Sequence, residues 1–322
     1  MDYKVLVTHR IPEEGLAMLN KNFNITLPEG KHFSTEELEK MIPEYDALIP
    51  VFGFKIDKSL INKGKKLKVI ANFGVGYNNI DVEAATEQRI IVTNTPKTVI
   101  EPTAELAFAL LLSLTRRVAE LDQKLKNKAD VEWEVMANLG HTLENKTLGI
   151  IGMGNIGRSF AHKAQAFGMN IIYNTRSPLN YTDEKIYQST YVSLEELLKK
   201  SDIISLHTPL TEKTQHLLDD QSFQKMKKGT FIINTARGAV IDEQALIKHL
   251  QNGHLGGAGL DVFEFEPKIS EELLEMDNVV LAPHVGTANY ETRKAMAEEV
   301  AFNIKYYFEG QQPPNIVNPE AY

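Results

Sequence analysis

The stretch LGIIGMGNIGRSFA (148–161) decides the fold. An apolar run from Leu148 to Ile151 is followed by Gly152, Gly154 and Gly157 at G-x-G-x-x-G spacing, and then by residues that can continue as a helix. In a strand–turn–helix unit each glycine has its own task. The first permits the tight turn, the second lets a pyrophosphate approach the backbone, and the third allows close packing of helix on strand. The helix N-terminus then offers unpaired N–H groups to the phosphates.

Working toward the C-terminus, further apolar runs follow at NIIYN (170–174), DIISLH (202–207), TFIIN (230–234), GAGLDVF (257–263) and VVLAPH (279–284). With LGIIG (148–152) they predict about six parallel strands, buried on both faces because their apolar character is nearly unbroken. Toward the N-terminus the rhythm is βαβαβ. VLVT (5–8), NITL (24–27), ALIP (47–50), KVIANF (68–73) and IIVTN (90–94) read as strands. A helix-compatible segment after Pro12, a helix opened by Ser34 with Glu37 three residues on, and IDVEAATEQR (80–89) lie between them. A longer helix begins after Pro102 and puts the boundary near residue 100. The run 289–310 carries Met296, Val300, Ile304 and Tyr307 on one stripe, ends at Gly310 and is expected to return to the first domain. The resulting division is 1–100 with 289–322, and 101–288. The lysine cluster KGKKLK (63–68) reads as a solvated face.

The 322 residues suffice for two such domains. Absence of cysteine excludes thiolate catalysis, disulfides and Cys-bound metal centres and suits a cytoplasmic location. A net charge of −8 opposes general attraction to nucleic acid or anionic membrane. The longest apolar helical stretch, LAFALLLSL (106–114), is too short for a bilayer, so a soluble protein is expected. The histidines show no metal-ligand spacing, and no metal is expected.

Cofactor choice is read about 20 residues beyond the glycines, where an NAD site places Asp or Glu on the ribose 2′-hydroxyl. Here the sequence is YNTRSP (173–178), and the nearest acidic residue is Asp183. Arg176 can pair bidentately with a 2′-phosphate while Thr175 and Ser177 donate hydrogen bonds, which favours NADP(H). Alternatively Arg176 lies over the adenine and NAD(H) is accepted as well.

Arg237, Glu266 and His284 each follow a predicted strand, the fourth, fifth and sixth of the second series. Open α/β sheets present their ligands at that end.

NFGVGYNNID (72–81), GMGNIG (152–157), LHTPLTEKT (206–214), MKKGTFIINTARG (226–238), GAGLDVFEFEP (257–267) and PHVGTAN (283–289) together resemble the D-isomer-specific 2-hydroxyacid dehydrogenase family over essentially the whole chain. The resemblance implies two doubly wound parallel-sheet α/β domains, a Rossmann nucleotide domain inserted into a discontinuous flavodoxin-like substrate domain, with the active site in the cleft between them. It makes Arg237 the cation that holds the substrate carboxylate and polarises the ketone, and His284 the proton donor. Glu266 would orient the imidazole and raise its pKa. Hydride arriving at a 2-keto carbon leaves an oxyanion, and a neighbouring imidazolium can both stabilise and protonate it.

The backbone N–H groups of Val75 and Gly76 would complete the carboxylate site. Asp261 would hold the nicotinamide carboxamide. The cofactor would also meet Thr103, Asn155, Ile156, Thr208, Pro209 and Thr214, and further on Thr235, Ala236, His284 and Gly286. His207 has two readings, structural or cofactor-facing. Trp133 likewise is either a packed core residue or part of an arm reaching a second subunit in a homodimer.

Formate dehydrogenases of the family have Gln where Glu266 stands here, so a hydroxy acid is indicated. The length leaves no room for the regulatory domain of many phosphoglycerate dehydrogenases. GVGYNNID and the NTRS loop look most like glyoxylate and hydroxypyruvate reductases, although Asn78 and Asn79 replace the Asp and His often found there. A D-lactate or branched-chain 2-keto acid reductase is the alternative, and a dinucleotide-sensing regulator a remote one. The loops around Phe52, Phe54 and Tyr77 are expected to shape the substrate pocket.

Overall fold

The computed structural model describes every residue except Met1, Asn20 and Phe52, so the expectation for Phe52 lies outside the described residues. The chain divides into two compact units, residues 1–99 with 287–322, and residues 100–286.

In the first unit the strands are β1 (Tyr3–Val7), β2 (Phe23–Thr26), β3 (Ala47–Ile49), β4 (Val69–Ala71) and β5 (Ile91–Thr93). They pair in parallel in the order β2-β1-β3-β4-β5, the flavodoxin-like order of a doubly wound sheet. The helices are α1 (Thr35–Met41), α2 (Lys58–Lys63) and α3 (Val82–Glu87). Ser34 and Glu37 close a reciprocal capping box at the start of α1, as the sequence predicts. The segment after Pro12 is a 3-10 helix, Glu13–Leu19. The core gathers Leu6, Leu38, Leu48, Ile61, Ile70 and Val92, with Phe54 packed against it.

In the second unit α4 (Ile100–Thr115) and α5 (Val118–Lys126) precede β6 (Thr147–Ile151), α6 (Asn155–Ala166), β7 (Asn170–Asn174), α7 (Tyr181–Ile186) and β8 (Ser189–Tyr191). There follow α8 (Leu194–Lys200), β9 (Ile203–Leu206), α9 (Asp220–Gln224), β10 (Thr230–Asn234), α10 (Glu243–Gln251), β11 (Leu255–Leu260), α11 (Glu271–Leu274) and β12 (Val279–Leu281). The sheet has seven parallel strands in the order β12-β11-β10-β9-β6-β7-β8. This is the Rossmann order 3-2-1-4-5-6 with one strand added beyond the sixth.

The six-strand expectation therefore misses β8, an edge strand of three residues of which two are exposed. Arg237, Glu266 and His284 follow the fifth, sixth and seventh strands of this sheet, and His207 follows the fourth. Helix α4 begins at Ile100, so Pro102 sits inside its first turn, where a missing N–H costs no helical hydrogen bond.

The last helix, α12 (Tyr290–Phe308), is capped by Asn289 and belongs to the first unit. Beyond it the side chain of Asn318 accepts from Val92 N and donates to Ile90 O at 2.7 and 3.0 Å, stitching the C-terminal segment onto β5. Among the described residues, no helix is long and apolar enough to cross a membrane.

Candidate active site

The glycine loop leaves β6 as its spacing requires. Gly152 has φ +99°, and a Cβ there would lie 2.5 Å from the His207 carbonyl oxygen, so only glycine fits. A Cβ on Gly157 would lie 2.2 Å from the Gly152 oxygen, and that contact brings α6 down onto the strand.

At Gly154 a Cβ would meet nothing within 4 Å. Helices α1 to α3, α7 to α10 and α12 each receive a Ser, Asp or Asn side-chain cap, whereas α6 starts at Gly154 with none. The first-turn donors of α6 thus face open space without a side-chain acceptor, which suits a pyrophosphate. Asn155 contributes from the same turn, while the Ile156 side chain packs inward against the core. Thr235 adds a buried hydroxyl with no hydrogen-bond partner among the described residues. These features fit a dinucleotide.

At the end of β7, Thr175 is partly exposed and Arg176 and Ser177 are exposed. The other cofactor-wall residues divide. The His207 imidazole packs on the Phe160 ring at 5.0 Å and bonds Ser205 Oγ at 2.8 Å. Burial pushes its pKa down to about 3, so it is neutral. Thr214 Oγ1 donates to Pro209 O at 2.6 Å and accepts from Thr211 N at 2.8 Å, so its hydroxyl closes its own loop. Thr208 flanks this loop and is partly exposed.

Three loops at the C-terminal ends of β10, β11 and β12 carry the ionisable residues. After β10, Asn234 folds the turn by accepting from Ala236 N and donating to Arg237 O, each at 3.0 Å. The Arg237 guanidinium donates to Ala236 O at 2.6 Å. Next to it, a Cβ on Gly238 would fall 1.9 Å from the Phe263 carbonyl carbon, so the β10 loop presses directly on the backbone leading to Glu266. Glu266 accepts from Phe263 N and pairs with His284 Nδ1, both at 2.9 Å.

Burial pushes the Arg237 guanidinium below its ordinary range, opposed by the charge of Glu266. Burial alone would raise Glu266. The hydrogen bond to His284 and the charges of His284 and Arg237 outweigh it and hold the carboxyl below its ordinary value. An anion thus sits among two cation-forming groups, ionised at neutral pH.

His284 has φ +54°, a conformation that a non-glycine residue adopts only when its surroundings hold it. Asp261, 1% exposed at the end of β11, supplies the hold. Its two oxygens accept from Val285 N at 2.7 Å and Gly286 N at 2.9 Å, and its carbonyl accepts from His284 N at 2.8 Å. In the structure this carboxylate grips the His284 turn, a partnership across 24 residues that spacing alone does not reveal. Gly286 packs beside Asp261 and buried Thr103 of α4.

In the first unit the turn 74–76 is held by its carbonyls. Asn72 Nδ2 donates to Gly74 O and Gly76 O at 3.0 and 2.9 Å, and Asn94 Nδ2 donates to Val75 O at 2.8 Å. The N–H groups of Val75 and Gly76 have no acceptor among the described residues. Tyr77 beside them is 43% exposed.

Trp133 is 89% exposed, which overturns the packed-core reading. It lies in an irregular segment with Val135, Met136 and Leu139, all exposed as well.

A phosphate-binding helix start and an Arg–Glu–His set at the ends of parallel strands define a dinucleotide-dependent α/β oxidoreductase. Comparison with known proteins agrees. Residues 108–286 match the family model described as D-isomer specific 2-hydroxyacid dehydrogenase, NAD binding domain. The glyoxylate reductase of Thermococcus litoralis is 46% identical over 326 aligned positions, spanning 100% of this chain and 98% of that protein.

Among solved structures, a glyoxylate reductase from Paecilomyes thermophila superposes with TM-score 0.89 at 36% identity, covering 100% of this chain and 99% of that one. The NADPH-dependent glyoxylate/hydroxypyruvate reductase of Sinorhizobium meliloti in complex with NADP and malonate gives TM-score 0.85 at 30% identity, covering 100% and 98%. The chain belongs to the D-isomer specific 2-hydroxyacid dehydrogenases.

Proposed function

We propose that this protein reduces small 2-keto acids of the glyoxylate type to D-2-hydroxy acids, with NADPH as the favoured donor. The observation that carries the reading is the 2.9 Å pairing of His284 with Glu266 in the loops beside Arg237. When bound, the nicotinamide supplies a hydride to the keto carbon.

The protein's own residues do the rest. Arg237 holds the substrate carboxylate and draws electron density toward the keto oxygen, and its low polarity surroundings strengthen both effects. Bonding of Nδ1 to Glu266 makes Nε2 the nitrogen that exchanges the proton. As the carbonyl π bond opens, the N–H bond at Nε2 breaks, an O–H bond forms, and the imidazole becomes neutral while keeping its Glu266 partner. The N–H groups of Val75 and Gly76 are donors suited to a carboxylate.

NADPH preference is supported by Arg176, an exposed cation at the end of β7 with no ion-pair partner among the described residues and no carboxylate in the NTRS loop. The relatives named for glyoxylate point to the same substrate size. Exposed Trp133, Val135, Met136 and Leu139 support a homodimer in which a second copy covers them, which light scattering with a Trp133→Ser variant would test.

The deciding experiment follows absorbance during reduction of glyoxylate, hydroxypyruvate, pyruvate and 2-ketoisocaproate with NADPH and NADH. Highest kcat/KM on the two small acids with NADPH is expected. Preference for pyruvate or the branched acid would contradict the substrate assignment, and preference for NADH the cofactor assignment.

A further inference from the structure

Arg176 stands in an exposed loop, 175–180, that must hold a fixed course if a single guanidinium is to meet a phosphate. One end of that loop is tied to the glycine turn, because Gly152 N donates to Asn174 O at 2.9 Å. The other end is tied to the same turn by a pair that the fold does not require. Arg158, on the first turns of α6, donates through Nε to Met153 O at 3.3 Å. Its Nη2 lies 3.1 Å from Asp183 Oδ2 on α7. Asp183 is in turn fixed by Asn180, whose Oδ1 accepts from Asp183 N at 2.9 Å and whose Nδ2 donates to Oδ2 at 3.1 Å. The guanidinium also lies 5.8 Å from the centre of the Tyr187 ring.

The pair is largely shielded, with side chains 32% and 24% exposed, so it is less screened by solvent than an ion pair on the open surface. Arg158 is thus neutralised and stretched between the phosphate-binding turn and the helix that ends the Arg176 loop. Arg176, in contrast, has no ion-pair partner among the described residues. Asp183, the nearest acidic residue after β7, is turned onto Arg158.

We propose that Arg158 and Asp183 form a brace that holds the Arg176 loop in register for a 2′-phosphate. Arg158 is then a positioning residue for cofactor choice and not itself the phosphate ligand. The proposal rests on the reading of Arg176 given above and adds what makes that reading selective.

The test is calorimetric titration with NADP⁺ and with NAD⁺, which needs no turnover. Arg158→Met and Asp183→Asn should each weaken NADP⁺ about fivefold and change NAD⁺ by less than about twofold. In an Arg176→Ala background the same substitutions should add nothing, since the brace acts through Arg176. Asp183→Asn is isosteric, so it carries the test if Arg158→Met fails to fold.

Equal weakening of both cofactors, or additive losses in the Arg176→Ala background, would overturn the brace. Tighter NADP⁺ binding by Asp183→Asn would do so too, by showing that released Arg158 is itself a ligand. Arg176→Ala alone separates the two layers. If it affects both cofactors equally, the 2′-phosphate reading fails and the brace with it. If it is selective while the brace variants are not, the brace alone fails.

Discussion

The turn after β12 and the loop after β7 are both short connections at the C-terminal edge of one sheet, yet they are held very differently. The His284 turn is gripped at three consecutive N–H groups by Asp261 and again through the imidazole by Glu266. The Arg176 loop is tied at its two ends and leaves the Arg176 side chain in solvent. Chemistry at a carbon centre needs a proton donor placed to a fraction of an ångström, and that requires many constraints. Choice between a hydroxyl and a phosphate needs only a charge within reach. The proton-transfer apparatus should therefore tolerate almost no substitution, whereas the cofactor loop can change without disturbing catalysis.

The largest expected effect falls on the rigid side. His284→Ala should lower kcat for glyoxylate by about 10²–10⁴-fold with KM little changed, because proton transfer is lost and binding is not. A small loss in steady-state turnover would show that the proton comes from elsewhere.

On the cofactor side, Arg176→Ala should raise the KM for NADPH by about ten- to a hundredfold, the worth of a charged hydrogen bond, with KM for NADH and kcat nearly unchanged. If kcat falls as well, the two regions are coupled and the contrast between them is false.

Gly238→Ala tests the contact between loops. The added methyl meets the Phe263 backbone at 1.9 Å, so thermal or urea unfolding should show a loss of about 1–3 kcal/mol, accompanied by lower kcat as the Glu266 segment shifts. Unchanged stability would mean that the two loops do not press on each other.

The smallest effect concerns His207. Its pKa near 3 in the fold lies below the ordinary value of 6.5, so the unfolded chain binds a proton that the folded chain refuses. Its contribution to stability is complete above pH 6.5 and declines as pH falls toward 3. His207→Gln should thus flatten part of the fall in melting temperature over that window, and an unchanged slope would contradict a buried neutral imidazole.

Much of this was legible in the sequence because it rests on local pattern. Apolar runs mark the buried strands, the three glycines mark the phosphate turn, and Arg237, Glu266 and His284 follow strands whose ends must converge. What was not legible lacks a local signal. Strand β8 is short, polar and at the edge, so it carries no apolar run. Helix α2 is capped by Asp57 but lies in a lysine-rich stretch whose polarity masks its two buried residues, Leu60 and Ile61. Gly238 and Asp261 act through backbone groups 25 and 24 residues away, a partnership that spacing cannot express. Arg158 directly follows the last glycine of the loop, and its adjacency was the available clue. Trp133 is exposed against the usual habit of tryptophan, in an irregular segment that none of the described residues covers, and that exposure has no local signal in the sequence.

The central claim, a proton donor fixed by Asp261 and Glu266, is tested most directly by the pH dependence of kcat/KM for glyoxylate reduction in the parent protein and in Glu266→Gln. In the parent, activity should persist on the acid side to pH values below the ordinary carboxylate range, where Glu266 takes up a proton and its pairing with His284 fails, and Glu266→Gln should have a lower kcat/KM with this acid limb gone, because its amide does not titrate. An acid limb at the same pH in both proteins would contradict it.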